Sequence, residues 1–420
     1  MSHTLAEKIL RTHSQEDDVA PGDFIECDID LVMVHEQLGG RIHKEYEKLN
    51  LDTVWDPSKI VFILDHWVPA PTISAAQMHQ DARAFAEKYH FIHNFGYQLN
   101  QGICHQVLPE MGFAKPGMLI IGSDSHTTIY GAFNCFSTGV GATDVCVVFA
   151  TGQLWFKVPE SFKITLTGQL SEFAMSKDFI LKYLEDVSAK GAIYKSLEFQ
   201  GEGISSLSID SRMTIANMAV ETGAKSALFP SDDVLKTWLE ARTPGPYHLV
   251  SADADAHYEK HYEYDLDDIV PMVAKPHRPD NVVPAEDLTD ISIDQAFLGS
   301  CTNGRMEDLR IAAKILKGKR VHPKVRLIIT PASKEIYLKA MKEGLVEQFI
   351  HAGAVFTNST CGACIGGHLG VLGENEVCVS SSNRNFKGRM GAPSADVYLA
   401  SPATVAASAI KGKITDPREV

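Results

Sequence analysis

The sequence contains no basic tract. Lysine and arginine number 39 against 53 aspartates and glutamates, a formal net charge of −14. Phosphate backbones are gripped by clustered positive side chains, so this balance disfavours a nucleic-acid partner. It leaves room for a local cationic pocket that takes a small anion. Nor is there an apolar run of the ~20 residues that a membrane-spanning helix needs. The longest candidates, MLIIG and DVCVVFA, read as buried strands or helices, and no membrane partner is expected. The opening MSHTLAEKILRTHSQEDD lacks the basic-then-apolar pattern of a secretory leader, so a cytoplasmic location is the expectation. It carries instead Thr4 with Glu7, a capping-box spacing that starts a first helix. Eight cysteines without a leader read as thiols in a reducing compartment, suited to ligand or packing roles and not to a disulfide framework. Short repeats and low-complexity segments are also missing.

What is present is an ordinary globular composition, 45% hydrophobic and 22% charged, over 420 residues. That length exceeds one compact core and predicts two or three domains. Short apolar runs alternate with amphipathic helices, the pattern of α/β domains with parallel sheets. Strands are expected at 30–34, 59–65, 117–124, 161–168, 294–300, 325–330, 354–359 and 376–381, and helices at 73–89, 211–224, 231–241 and 306–318. Composition shifts near 157–162 and across the charged, proline-rich 243–290 divide the chain into 1–157, 158–284 and 285–420. In open parallel sheets, ligands bind beyond the carboxyl ends of strands. FLGSCTNGRMEDL, AVFTNSTCGACIGG, VCVSSSNRNFKGRMG and GMLIIGSDSHTT each read as a strand running into such a loop.

Cys361 and Cys364 form a C-x-x-C in a bed of glycine, and alone the pair is compatible with a redox disulfide, half a zinc site or an iron–sulfur ligand set. A redox pair normally opens a helix near the start of a chain, and this one comes late. Zinc usually takes a second closely spaced pair; Cys301 is single and sixty positions upstream. Three thiolates suit an iron–sulfur cube with one corner left without a cysteine. Cys27, Cys104, Cys135, Cys146 and Cys378 sit among apolar or small residues and read as packing.

The acid–base candidates are Asp65 and His66 in ILDHWVP, Asp124, Ser125 and His126 in GSDSHTT, and His105 in GICHQVLPE. A lone histidine in an apolar segment is more often a packing residue. Two Asp–His clusters at strand ends fit general acid–base work, because a carboxylate fixes the imidazole tautomer and raises its basicity. Adjacent strand residues point to opposite faces, which leaves open whether Asp65 orients His66. Asn383, Arg384, Asn385, Lys387 and Arg389 crowd into SSSNRNFKGRMG. A solvated turn is the ordinary reading. The position after a strand, near the cysteine loop, favours a clamp for a di- or tricarboxylic acid, since arginine binds carboxylates through two parallel bonds.

Taken together, GSCTNGR, NSTCGAC, DSHT, ICHQVLPE and SSNRNFKGRMG resemble the aconitase superfamily, and within it the large subunits of the isopropylmalate dehydratase and homoaconitase families. The resemblance covers essentially the whole chain, and chance agreement at all five motifs is negligible. It implies three α/β/α domains around a central iron–sulfur site, lacking the mobile fourth domain of single-chain aconitases. It also implies a 4Fe-4S cluster held by Cys301, Cys361 and Cys364, with one iron free of cysteine that binds substrate oxygens. By motif position, His66 resembles the group that protonates the leaving hydroxyl, with Asp65 beside it. Asp124, Ser125 and His126 resemble contacts to the reacting oxygens. His105 resembles a histidine that pairs with a glutamate, matched here by Glu198. Asn383, Arg384 and Arg389 resemble cluster and substrate-carboxylate contacts, and His35 falls at a substrate-facing position.

The implied activity is that of a hydro-lyase that isomerises isopropylmalate in leucine synthesis, with homoaconitate and 2,3-dimethylmalate as rival substrates. The resemblance further implies a separate small subunit that carries the swivelling domain, in a heterodimer or heterotetramer, and supplies the base. A cluster-sensing RNA-binding regulator and a zinc-stabilised binding module are the readings from other classes. Two stretches depart from the pattern of those large subunits: Tyr97 to Asn100 ahead of ICHQ, and Trp67 in DHWVPAPTIS.

Overall fold

A computed structural model describes residues 2–243 and 245–420. Thr4 caps the first helix, Leu5–Thr12, through both bonds of the capping box: Glu7 N–H to the threonine hydroxyl, and Thr4 N–H to the glutamate. Such a cap stabilises a helix by about 1 kcal/mol.

Three sheets follow, as the alternating pattern predicts. The first is wholly parallel, in the order His93–Phe95, Ile60–Ile63, Leu31–His35, Leu119–Gly122, Phe136–Gly139. The second is also parallel, with Ser226–Leu228, Ser196–Gln200, Ser161–Thr167 and Lys260–Asp265 side by side. The third places Gln295–Leu298 between Val377–Ser380 and Arg326–Ile329, with Val355–Phe356 at one edge and Asp396–Ala400 beyond Val377–Ser380. Met272–Ala274 and Val282–Pro284 complete that sheet in antiparallel fashion. A separate two-stranded ribbon pairs Phe24–Asp28 with Gln153–Lys157. Among the described residues no helix is long and apolar enough to cross a membrane.

Both faces of the first and third sheets are covered, so their strands are apolar on both sides. Leu31 and Met33 face a core shared with the second sheet, while Val32 and Val34 face the core built on the first helix. In the third sheet, Phe297, Ile328 and Cys378 join the shared core, while Ala296, Leu298, Leu327 and Val379 pack on the other face. The shared core therefore links all three sheets, and the strand ends of the first and third meet beside it.

Two segments differ from expectation. The strand predicted at 354–359 pairs only over Val355–Phe356, because Asn358 and Thr360 turn away to bond the carbonyls of Val68 and Asp65. The charged 243–290 segment contains Lys260–Asp265, an edge strand whose Tyr262 and Tyr264 lie against the shared core. Its alternation of aromatic and charged residues is that of an edge strand with one covered face.

Candidate active site

Six loops at carboxyl strand ends converge between the first and third sheets. The first sheet delivers His35, the Asp65–His66 loop, and Asp124 to His126. The third delivers Cys301, the Cys361–Cys364 loop, and Asn383 to Arg389.

Asp65 is fully buried. One carboxylate oxygen lies 2.5 Å from His66 Nδ1, and the other accepts the Cys104 N–H at 2.8 Å. Adjacent residues can meet here because the chain has left the strand at Ile63 and turned. Burial works against both charges, yet each stabilises the other. Asp65 holds the His66 imidazolium well above its usual range, with Cys361 adding to the effect, and His66 holds Asp65 well below the carboxylate range. His35 stacks near His66, ring centroids 4.5 Å apart. Burial, reinforced by the neighbouring charge on His66, pushes His35 down toward the neutral form. Its Nδ1 accepts from Gln37 N–H at 3.3 Å, which leaves Nε2 to donate toward Ser123 O, also 3.3 Å away.

Asp124 joins the other histidines. Its Oδ1 takes His105 Nε2 at 3.0 Å, the His126 N–H at 2.7 Å and His126 Nδ1 at 3.2 Å. Burial would raise its pKa, but the bonds from His105 and His126 outweigh it and keep Asp124 ionised. Its second oxygen sits 3.8 Å from His35 Nε2 and 4.0 Å from His66 Nε2, so the two Asp–His clusters share one pocket. Ser125 Oγ lies 3.4 Å from His126 Nδ1. His126 Nε2 meets Glu221 at 2.9 Å, and Arg384 Nε donates to the same oxygen at 2.7 Å. Burial opposes the Glu221 charge, and these two partners hold it ionised.

The three cysteines are buried, and Cys301 and Cys364 carry donors on their sulfurs. Asn217 and Asn383 point their amide N–H groups at Cys301 Sγ, at 3.2 and 3.4 Å. Asn383 Oδ1 lies 3.6 Å from Cys364 Sγ, so one amide spans two sulfurs from different loops. Arg389 Nη2 approaches Cys364 Sγ at 3.8 Å. Its Nε is buried and has no partner among the described residues, a donor free for a carboxylate. Burial pushes the Cys301 thiol up to about 12 and the Cys361 thiol well above its ordinary value. A bare thiolate is thus disfavoured, and metal binding is what would make these groups thiolates. Three soft donors, two of them with N–H groups aimed at sulfur, fit an iron–sulfur cluster. His35, Glu36, Asp65 and His66 also approach one another within 4.8 Å, but Asp65 is spent on His66 and Cys104, and Glu36 on backbone amides.

The cysteine loop is laced to the Asp65–His66 loop. Thr360 Oγ1 donates to the carbonyls of Asp65 and His66 at 2.8 and 3.2 Å, and Cys361 N–H to that of Asp65 at 3.3 Å. Asn358 Nδ2 donates to Val68 O at 2.7 Å, and His368 Nε2 lies 2.9 Å from Pro69 O. A buried arginine and a buried lysine brace the remaining loops. Arg305 donates to the carbonyls of Cys301 and Thr302, and Lys177 to those of Ser381 and Ser382.

The structure thus brings His35, Asp65, His66, His105, Asp124, Ser125, His126, Asn383, Arg384, Arg389 and the three cysteines together. It does not pair His105 with Glu198. His105 bonds Asp124 and, at 3.3 Å, the Tyr130 hydroxyl. Glu198 instead accepts the Leu5 and Ala6 N–H groups at the start of the first helix, and the Tyr258 hydroxyl. Its carboxylate answers the unpaired amides and positive field of a helix N-terminus. The glutamate that bonds one of these pocket histidines is Glu221, on His126, which the sequence motifs do not mark; a buried acid closing the apolar IANMAVETGA was its signal.

The family model described as the aconitase family (aconitate hydratase) matches residues 7–289 and 284–412. Relatives of full length are similar throughout. The 3-isopropylmalate dehydratase large subunit 1 of Methanopyrus kandleri is 48% identical over 418 residues, covering 100% of this chain and 99% of its own. The 3-isopropylmalate dehydratase large subunit of Aquifex aeolicus is 48% identical over 425 residues, covering 100% and 98%. Among solved structures, Thermococcus kodakaraensis aconitase X in its holo-form shares the fold, with a TM-score of 0.52 at 12% identity over 91% of this chain and 89% of that one. The family match spans nearly every residue, and relatives that match over their full length stand at this identity: the chain belongs to the aconitase family.

Proposed function

We propose that the chain is the large subunit of a 3-isopropylmalate dehydratase, a hydro-lyase that interconverts 2- and 3-isopropylmalate by removing and re-adding water. The observation that carries this is the meeting of a buried Asp65–His66 pair with the three-cysteine pocket. The full-length similarity to subunits of that name supports the substrate.

Cys301, Cys361 and Cys364 would hold a 4Fe-4S cluster with one iron free of cysteine, which when bound supplies Lewis acidity toward substrate oxygens. The chain's own residues do the rest. Arg384 and Arg389 bind substrate carboxylates, and Asn383 sets the rim of the pocket. His35, neutral, and Ser125 orient the reacting end. His66 gives the Nε2 proton to the departing hydroxyl as the C–O bond breaks, releasing water, while Asp65 stabilises the imidazolium beforehand. A base removes the proton from the neighbouring carbon, whose electron pair forms the double bond. Water then adds back in the opposite sense: its oxygen bonds the carbon that lost the proton and its own proton goes to His66, while the base returns its proton to the carbon that lost the hydroxyl. Asp124, tied to His105 and His126, keeps a negative charge opposite His66. The base belongs to a separate small subunit bearing a swivelling domain.

A substrate panel tests this. With its cognate small subunit, the chain should turn over isopropylmalate at least about 10-fold faster than homoaconitate or 2,3-dimethylmalate, since one altered pocket group is worth 10–200-fold. The chain alone should be inactive. Preference for either rival would overturn the substrate, and comparable rates from the isolated chain would overturn the partner.

A further inference from the structure

The proton-donor loop hangs on one carboxylate. Glu36 opens the helix Glu36–Glu47 and is fully buried. Its oxygens accept the backbone N–H groups of three successive residues: Asp65 at 3.1 Å, His66 at 2.7 Å and Trp67 at 3.0 Å. Consecutive amides that converge on one anion form a concave nest, and the anion fixes the loop's backbone without touching its side chains. The N-terminal position on a helix favours the negative charge at that point. His79 stands behind it, Nε2 3.8 Å from the carboxylate and Nδ1 2.8 Å from the Tyr97 hydroxyl.

Residues 35 and 36 act on His66 from two sides. The His35 ring lies against the imidazole, and Glu36 lies under the backbone that carries it. We infer that Glu36 is a positioning residue for the proposed dehydration, holding residues 65–67 so that the Asp65–His66 pair stands in register at the substrate. This rests on the reading of His66 as the proton donor. A glutamine cannot replace the carboxylate: it offers one oxygen and an NH2 group, so at least one of the three amides would face a donor where it now finds an acceptor. An aspartate keeps the charge but falls one methylene short. Misplacing a catalytic group by about 1 Å costs about 10²-fold in rate, and that is the scale expected.

The test uses the anaerobically purified complex with its small subunit, comparing Glu36→Gln, Glu36→Asp and His66→Gln for kcat, KM and bound iron. Glu36→Gln should lower kcat by about 10²-fold with KM within about two-fold and iron unchanged. Glu36→Asp should recover part of kcat. An unchanged kcat in Glu36→Gln, with His66→Gln inactive, overturns the inference and leaves the proton donor standing. Full turnover by His66→Gln overturns both. Loss of iron in step with activity in both Glu36 variants, or failure of both to fold, makes Glu36 a folding element and also overturns the inference.

Discussion

His66→Gln is expected to slow turnover of the holo-complex by about 10³-fold, within the 10²–10⁴ that a placed general acid supplies, with little change in KM. Glutamine fills similar space and can bond to Asp65, but it has no proton to give the leaving hydroxyl. The companion variant Asp65→Asn tests why the histidine is charged. Burial is the largest influence on His66 and opposes its charge; only its neighbours, Asp65 first, reverse that. With the carboxylate gone, burial prevails and the imidazole becomes neutral near working pH. Activity that needs the imidazolium is present below the group's pKa and lost as pH rises through it. The alkaline limb of the kcat profile should therefore shift to lower pH in Asp65→Asn. Removing one partner of a buried pair also costs about 3–5 kcal/mol of stability, so melting is measured alongside. A His66→Gln enzyme with normal kcat, or superimposable pH profiles for Asp65→Asn and the parent, would sink the assignment.

Cys301→Ser should strip the chain of iron, leaving less than about a tenth of the parent's content after anaerobic reconstitution, because loss of a thiolate removes both charge and a soft donor. Broad visible absorbance should vanish with it. The size change is small and the site is buried, so the fold should persist and far-ultraviolet circular dichroism should match the parent. Cys378→Ser provides the control. Cys378 is buried on the strand Val377–Ser380 and faces the shared core, so its substitution should leave iron unchanged. A Cys301→Ser protein that keeps its iron would remove that residue from the ligand set, and a parent protein that binds stoichiometric zinc and no iron would refute the cluster.

Much of this arrangement is legible in the sequence because strand ends announce themselves. Apolar runs such as MLIIG and QAFL stop at small polar residues, and loops that follow parallel strands gather on one side of a sheet. That reasoning finds His66, Asp124, Cys301 and the Cys361 loop. It fails where the partner is set by contact between distant segments. His126 and Glu221 are 95 positions apart, and nothing local ties them. Glu198 looked like an imidazole partner, yet its strand lies in the second sheet and turns the side chain toward the first helix. Glu36 was hidden by its neighbour His35: the chain changes from strand to helix between them, sending one side chain to the pocket and the other beneath it. The short pairing of Val355–Phe356 has the same origin, since the next residues are claimed by the carbonyls of residues 65 to 69.

That lacing has a consequence for how the protein ages. Bonds from Asn358, Thr360, Cys361 and His368 to the carbonyls of Asp65, His66, Val68 and Pro69 join the two loops into one cooperative unit of local opening. Neither can fray without releasing the other. Were the proposed cluster on Cys361 damaged by oxygen, this lacing would slacken from the cysteine side, and the Cys361 amide, which bonds the Asp65 carbonyl, would begin to exchange with solvent while the sheets stayed shut. The enzyme would lose the aim of its acid before it lost its shape, and repair would have to restore the metal and the loop in a single event.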